Sequence, residues 1–223
     1  MKQNYFSLAF GLLLCTSCIS NREEEYTLPS NLLAWQPYHT GDVLRFGQDR
    51  SSKVRTFTIT EVNSHFITYR TGGTAPVYLG PSTKIKAQQL DIVARRTDTI
   101  QYQPTPTSTP AHPDSVLIAP TTLLSMSSTE YGNHTYVFWD RGFGYLLPLN
   151  HVLKGEALYD TTAQLLPTMR LGTIAYDSVL RVSDGPHILP TSPRTKSTRR
   201  IYYAKGYGVV GFVEGSTLWY RLP

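Results

Sequence analysis

The run Gly206-Tyr207-Gly208-Val209-Val210-Gly211 has the G-x-G-x-x-G spacing of a phosphate-cradling loop, whose glycines let backbone N–H groups approach a pyrophosphate at a helix N-terminus. That chemistry needs a helix after the last glycine. Instead Phe212-Val213 leads into a Glu214-Gly215 turn and another apolar-alternating stretch, residues 216–222, so the glycines read as strand and turn positions and no nucleotide cofactor is expected. The six histidines, His39, His65, His112, His134, His151 and His187, lack His-x-x-x-His or carboxylate-paired spacing, and no metal is expected. No G-x-S-x-G elbow marks a nucleophile. Arg194, Lys196, Arg199 and Arg200 are interleaved with Thr and Ser rather than aromatics, so they read as a solvated loop and strand entrance. The alternative for this cluster is contact with anionic headgroups or acidic glycans. With no catalytic residue assigned, the chain reads as a non-enzyme.

The cysteines carry the one covalent chemistry the residues indicate. Lys2 supplies a positive n-region, residues 6–14 form an apolar run too short to span a bilayer, and Thr16-Ser17 place small residues before Cys18. Residues 1–17 therefore read as a secretory signal. The segment Leu14-Cys15-Thr16-Ser17-Cys18 resembles the lipobox of bacterial lipoproteins, in which the last cysteine is diacylated on its thiol and becomes the acylated N-terminus after cleavage. The resemblance implies lipidation at Cys18. Cys15 is a poorer candidate, since Leu14 rather than a small residue precedes it. The alternative is an ordinary signal peptide. Loss of Cys15 and acylation of Cys18 would leave no disulfide, so an exported domain must be held by its own core.

Residues 18–34 read as a lipidated flexible tether: Ile19-Ser20-Asn21-Arg22-Glu23-Glu24-Glu25 is polar and acidic, and little in it can pack. A basic residue and an acidic run just after the lipidated cysteine resemble the surface-export signal of lipoproteins of the Bacteroidetes group. A solvated spacer is the alternative. The resemblance implies an outer-membrane protein held by its lipid and facing either the periplasm or the cell surface.

The elements that would carry any surface are strands. The chain has 223 residues, 12% of them aromatic and 17% charged, with 15 Tyr; this suits an antiparallel all-β protein. Its +5 net charge, from 21 basic and 16 acidic residues, falls short of what a dedicated nucleic-acid binder carries, and no nucleic-acid partner is expected. Alternation predicts strands at residues 42–46, 53–62, 65–70, 85–93, 136–139, 143–147 and 171–182, with a turn at Asn63-Ser64. Along 171–182, Ile174, Tyr176, Leu180 and Val182 are expected on one face. A short helical turn is expected near residues 121–126. The stretch 103–120, carrying Pro104, Pro106, Pro110, Pro113 and Pro120, cannot join a sheet ladder and reads as a linker or a long exposed loop. It separates a first β lobe, 35–102, from a second, 121–223; a sandwich or half-barrel is the alternative arrangement. The end of the chain is expected as a three-strand meander, 200–204, 207–213 and 216–222. Its residues Ile201-Tyr202-Tyr203-Ala204-Lys205-Gly206-Tyr207-Gly208-Val209-Val210-Gly211-Phe212 resemble the closing hairpin of exported lipoproteins of the Bacteroidetes type. No chemistry is assigned to that group, so the resemblance implies fold and location only.

Asp98-Thr99-Ile100, Asp114-Ser115-Val116, Asp160-Thr161-Thr162 and Asp177-Ser178-Val179 resemble the O-glycosylation acceptor of exported proteins of the same group. Thr99 and Ser115, which flank the Pro-rich stretch, are the preferred acceptors, and Ser178 is expected to face inward. The functional expectation is a membrane-anchored envelope lipoprotein, a non-catalytic binding or assembly module with an envelope protein or glycan as partner. The alternatives are a lipid- or glycan-binding β carrier, which needs a hollow interior, and a hydrolase with dispersed catalytic residues.

Overall fold

A computed structural model describes residues 22–49, 51–71, 83–96, 99–102, 114–117, 120–140, 143–158, 162–183 and 198–223. The signal segment, Cys18 and residues 103–113 lie outside them.

The strands are β1 (Arg22–Tyr26), β2 (Val43–Gln48), β3 (Ser51–Thr71), β4 (Thr83–Arg96), β5 (Thr99–Tyr102), β6 (Asp114–Leu117), β7 (Thr121–Thr129), β8 (Gly132–Asp140) and β9 (Phe143–Leu146). They continue as β10 (Ala163–Leu171), β11 (Ile174–Ser183), β12 (Thr198–Ala204), β13 (Gly208–Glu214) and β14 (Thr217–Arg221). Two short helices, α1 (Ser30–Leu33) and α2 (Leu149–Lys154), interrupt them. The main sheet runs β10-β11-β12-β13-β14-β2-β3-β4-β7-β8-β9 and curls into a half-barrel, with β1 attached to β4. Pairing along it is antiparallel; β1 on β4 is the parallel exception. The curl brings β9 beside β11, and the Tyr145 hydroxyl of β9 donates to the Thr198 carbonyl of β12 at 2.7 Å.

The half-barrel agrees with the all-β reading, and β12, β13 and β14 form the expected meander. Apart from β5, the described strands of 35–102 and of 121–223 share one sheet and one core, because β4 pairs β7 and β14 pairs β2. Part of the presumed linker is a strand: β6 pairs β5 in a separate hairpin.

The flexible tether needs correction from Arg22 onward. β1 docks along residues 83–87 of β4, an edge that β7 leaves uncovered because β7 reaches only as far as Gln89. Glu23 and Glu25 fall opposite Lys84 and Lys86, at 3.1 and 2.8 Å, which makes an acidic run compatible with a sheet edge. Leu28 and Leu32 are buried in the core just beyond.

Residues 121–126 are strand, not helical turn: Leu124 and Met126 alternate into the core while Ser125 and Ser127 pair with β4. The expected turn at Asn63-Ser64 is absent, since both residues pair with Asp91 and Leu90 of the equally extended β4. The expected strand 171–182 turns at Gly172 and Thr173, and β10 precedes it. The single apolar face of β11 is split. Ser178 has φ +54°, and this irregularity sends Tyr176 to an outer cluster and Leu180 and Val182 to the inner core. Ser178 is half-buried there.

The interior is filled by side chains from both halves. Phe46, Phe57, Trp139 and Phe212 meet at centroid distances from 4.6 to 5.6 Å, and Trp219 stacks on Phe212 at 5.9 Å. Each such aromatic pair adds about 0.5–1.5 kcal/mol beyond burial. One end of the half-barrel is closed by the segments around α1 and α2, which bury Leu32, Trp35, Tyr38, Leu147 and Leu149. Trp35 stacks on Tyr203, whose hydroxyl donates to the Trp35 carbonyl at 2.6 Å. Gly155, at φ +66°, ends α2 in the left-handed conformation glycine adopts without strain.

Candidate functional site

Inward-facing rows of three strands end in charge at the opposite end of the half-barrel. On β3 the row is Ile59, Phe57, Arg55; on β4 it is Leu90, Ile92, Ala94, Arg96; on β13 it is Phe212, Glu214. Period-two alternation therefore carries these ionisable groups to the rim, above the aromatic core.

Arg55 and Glu214 form a bidentate pair, with Nη1 to Oε1 at 2.8 Å and Nη2 to Oε2 at 2.6 Å. Their side chains are only 17% and 11% exposed. The Arg55 guanidinium lies 4.2 Å from the Trp219 ring centroid and 5.8 Å from that of Phe212. Arg96, in register with Phe57, lies 4.6 Å over the Phe57 ring and donates to the Trp139 carbonyl at 2.8 Å. Guanidinium stacking on aromatic faces is favourable by about 0.5–2 kcal/mol according to desolvation. Both Glu214 oxygens are engaged by Arg55, so this carboxylate is not poised as a general base. The arrangement can close and stiffen the rim.

Tyr38 and Tyr203 are buried in the core, and Tyr69 is half-buried on β3. Burial pushes the Tyr38 hydroxyl up to about 12 and that of Tyr203 well above its ordinary value. Tyr69 is also pushed up to about 12, first by burial and then by the hydrogen bond it donates to Glu130. Such hydroxyls stay protonated at neutral pH and serve as hydrogen-bonding groups.

Cys18 lies outside the described residues. Thr99 and Ser115 are on β5 and β6, and the hairpin brings their strands together: Thr99 pairs with Leu117 and Ser115 with Gln101. Arg194 and Lys196 also lie outside the described residues; Arg199 is exposed, and Arg200 donates to the Tyr202 hydroxyl at 3.3 Å. His39 sits 3.7 Å from Asp42 and His151 2.9 Å from Glu156, and among the described residues no three metal-ligating side chains converge. Gly206 forms the turn before β13, Gly208 abuts Tyr38, and Gly211 packs against Leu171 and the Trp219 carbonyl. A strand, not a helix, follows them, so the geometry of a phosphate loop is absent at this site.

Sequence reasoning missed the Arg55, Arg96 and Glu214 rim. Its signal was available: each is the charged end of an alternating apolar run. No family model, curated protein or solved structure matches the chain. Among the described residues, no helix is long and apolar enough to cross a membrane.

Proposed function

We propose that the protein is a lipid-anchored lipoprotein of the outer membrane of a Gram-negative bacterium, a non-catalytic binding or assembly module for an envelope protein or glycan. The observation that carries this reading is the segment Leu14-Cys15-Thr16-Ser17-Cys18 directly after a short apolar run. Several acyl chains on Cys18 hold a protein on a membrane where one does so only marginally. The aromatic filling of the interior favours recognition by an outer surface over carriage of a ligand in the lumen. Thr99 and Ser115 are the proposed sugar acceptors.

Cys18→Ala is expected to abolish acylation and release the protein from membranes. Intact-mass measurement of the native protein showing an unmodified Cys18, or cleavage elsewhere, would overturn the anchor.

A further inference from the structure

We infer that the outward face of β3, β4, β7, β8 and β9 is a binding site for a neutral oligosaccharide. Its sugar rings stack on Tyr136 and Phe138, and its hydroxyls exchange hydrogen bonds with Asn63, Asp91, Ser125 and Ser127. The site gives the proposed binding module a glycan as partner; it rests on that reading and not on the anchor at Cys18.

Alternation places the site. Leu90 and Ile92 of β4, Leu124 and Met126 of β7 and Val137 of β8 point into the core, so the residues between them point outward. Register lines these outward residues up in two rows. One row is Asn63, Asp91, Ser125, Tyr136 and Leu146; the other, two residues along, is His65, Gln89, Ser127 and His134. Across five strands the first row spans roughly 19 Å at the usual strand spacing, enough for a short oligosaccharide to lie along it.

The aromatic end of the rows offers ring faces. Tyr136 is 37% exposed and Leu146 48%. The centroids of Tyr136 and Phe138, two residues apart on β8, lie 6.2 Å from each other with the planes 33° apart, so the rings sit side by side rather than face to face. A Cβ on Gly144 of β9 would come within 2.8 Å of Phe138 Cε1, so the Phe138 ring leans across β9 into the space a side chain would fill. A ring lying down on a sheet turns a face to solvent, and that electron-rich face suits the C–H groups of a pyranose.

Beside the rings, the rows are polar and unengaged. Among the described residues Asn63, Ser125, Ser127 and His134 make no side-chain hydrogen bond, and the buried Nδ1 of His65 has no partner. Gln89 donates to one oxygen of Asp91 at 2.7 Å. Neither row carries a Lys or Arg; Asp91 is their one carboxylate, and Glu61 and Glu130 flank them against Arg95. This balance repels phosphates and acidic sugars. An apolar protein surface would bury the amides and hydroxyls without partners, whereas a neutral sugar carries both donors and acceptors for them.

The test uses the native full chain, purified in a detergent without a sugar headgroup. It is run through native gels containing a β-glucan, an arabinoxylan, a galactomannan, amylopectin or glycol chitin, with polygalacturonate as the acidic counterpart. The expected result is retardation by at least one neutral polysaccharide and none by polygalacturonate. Tyr136→Ala with Phe138→Ala should weaken that binding about tenfold, while Tyr136→Phe, which keeps the ring face, should preserve it. Tyr207→Ala, at an exposed aromatic outside the rows, should change nothing. Ser125→Arg, which sets a long charged side chain in the row, should abolish binding even if the double aromatic variant melts early. Retardation by none of the five, by polygalacturonate alone, or unchanged in both Ser125→Arg and the aromatic variant would overturn the site. With Cys18 acylated by intact mass, that result leaves the anchored module standing with an envelope protein as partner. Retardation with an unmodified Cys18 would remove the anchor and keep the site.

Discussion

The Tyr38 hydroxyl occupies the space that a side chain on Gly208 would need: it accepts the Val209 N–H at 2.7 Å, and a Cβ on Gly208 would lie 2.1 Å from it. Gly208 also has φ +76°, where side chains are strained. Gly208→Ala should therefore destabilise the protein by roughly 3 kcal/mol, combining backbone strain with overpacking. Gly215→Ala, at φ +60° with open space around it, should lose only about 1 kcal/mol. Urea unfolding of the two variants checks the difference; equal losses would mean the Tyr38 contact contributes nothing.

Alkaline pH should loosen the same contact. The Tyr38 hydroxyl titrates near 12 in the folded chain, above its ordinary value of 10.0, because burial disfavours the phenolate. The folded state then binds the proton more tightly than the unfolded one. Its contribution is fully present below pH 10 and falls as pH rises toward 12. Melting temperatures measured across this window should decline less steeply in Tyr38→Phe, even though that variant is less stable by about 1–3 kcal/mol at neutral pH through the unsatisfied Val209 N–H.

At the rim, Glu214→Gln should cost roughly 2–3 kcal/mol, since it removes a bidentate carboxylate from a largely buried guanidinium. The double variant Arg55→Met/Glu214→Met should recover much of that loss, because apolar side chains suit the Phe212 and Trp219 faces. A double-mutant cycle by denaturant titration gives the coupling, and additive losses would show that the pair is not an energetic unit.

The N-terminal segment should be held by its leucines more than by its charges. The Glu23–Lys84 and Glu25–Lys86 pairs are exposed, so Glu23→Gln with Glu25→Gln should change stability by less than about 1 kcal/mol. Leu32→Ala, at a fully buried position, should cost about 2–5 kcal/mol. Thermal unfolding of both separates the two contributions.

Alternation along residues 53–59 and 85–93, and the glycine turns of the C-terminal meander, were enough to indicate antiparallel strands, because side-chain period and turn chemistry are local properties. The proposed anchor at Cys18 rests on the same kind of local reading, as processing signals are read along the chain. What β1 pairs with was not. Glu23 and Glu25 look unpackable until Lys84 and Lys86, some sixty residues away, are placed opposite them. The fate of residues 63–64 depended on a partner strand long enough to hold them extended, and the split face of β11 on a single positive φ at Ser178. The rim combines Arg55 and Glu214 across 159 residues of separation, which no local pattern encodes. Local alternation specifies which side of a strand is apolar; only closure of the sheet through β4–β7 and β14–β2 decides which rows share a core and which charged ends meet above it.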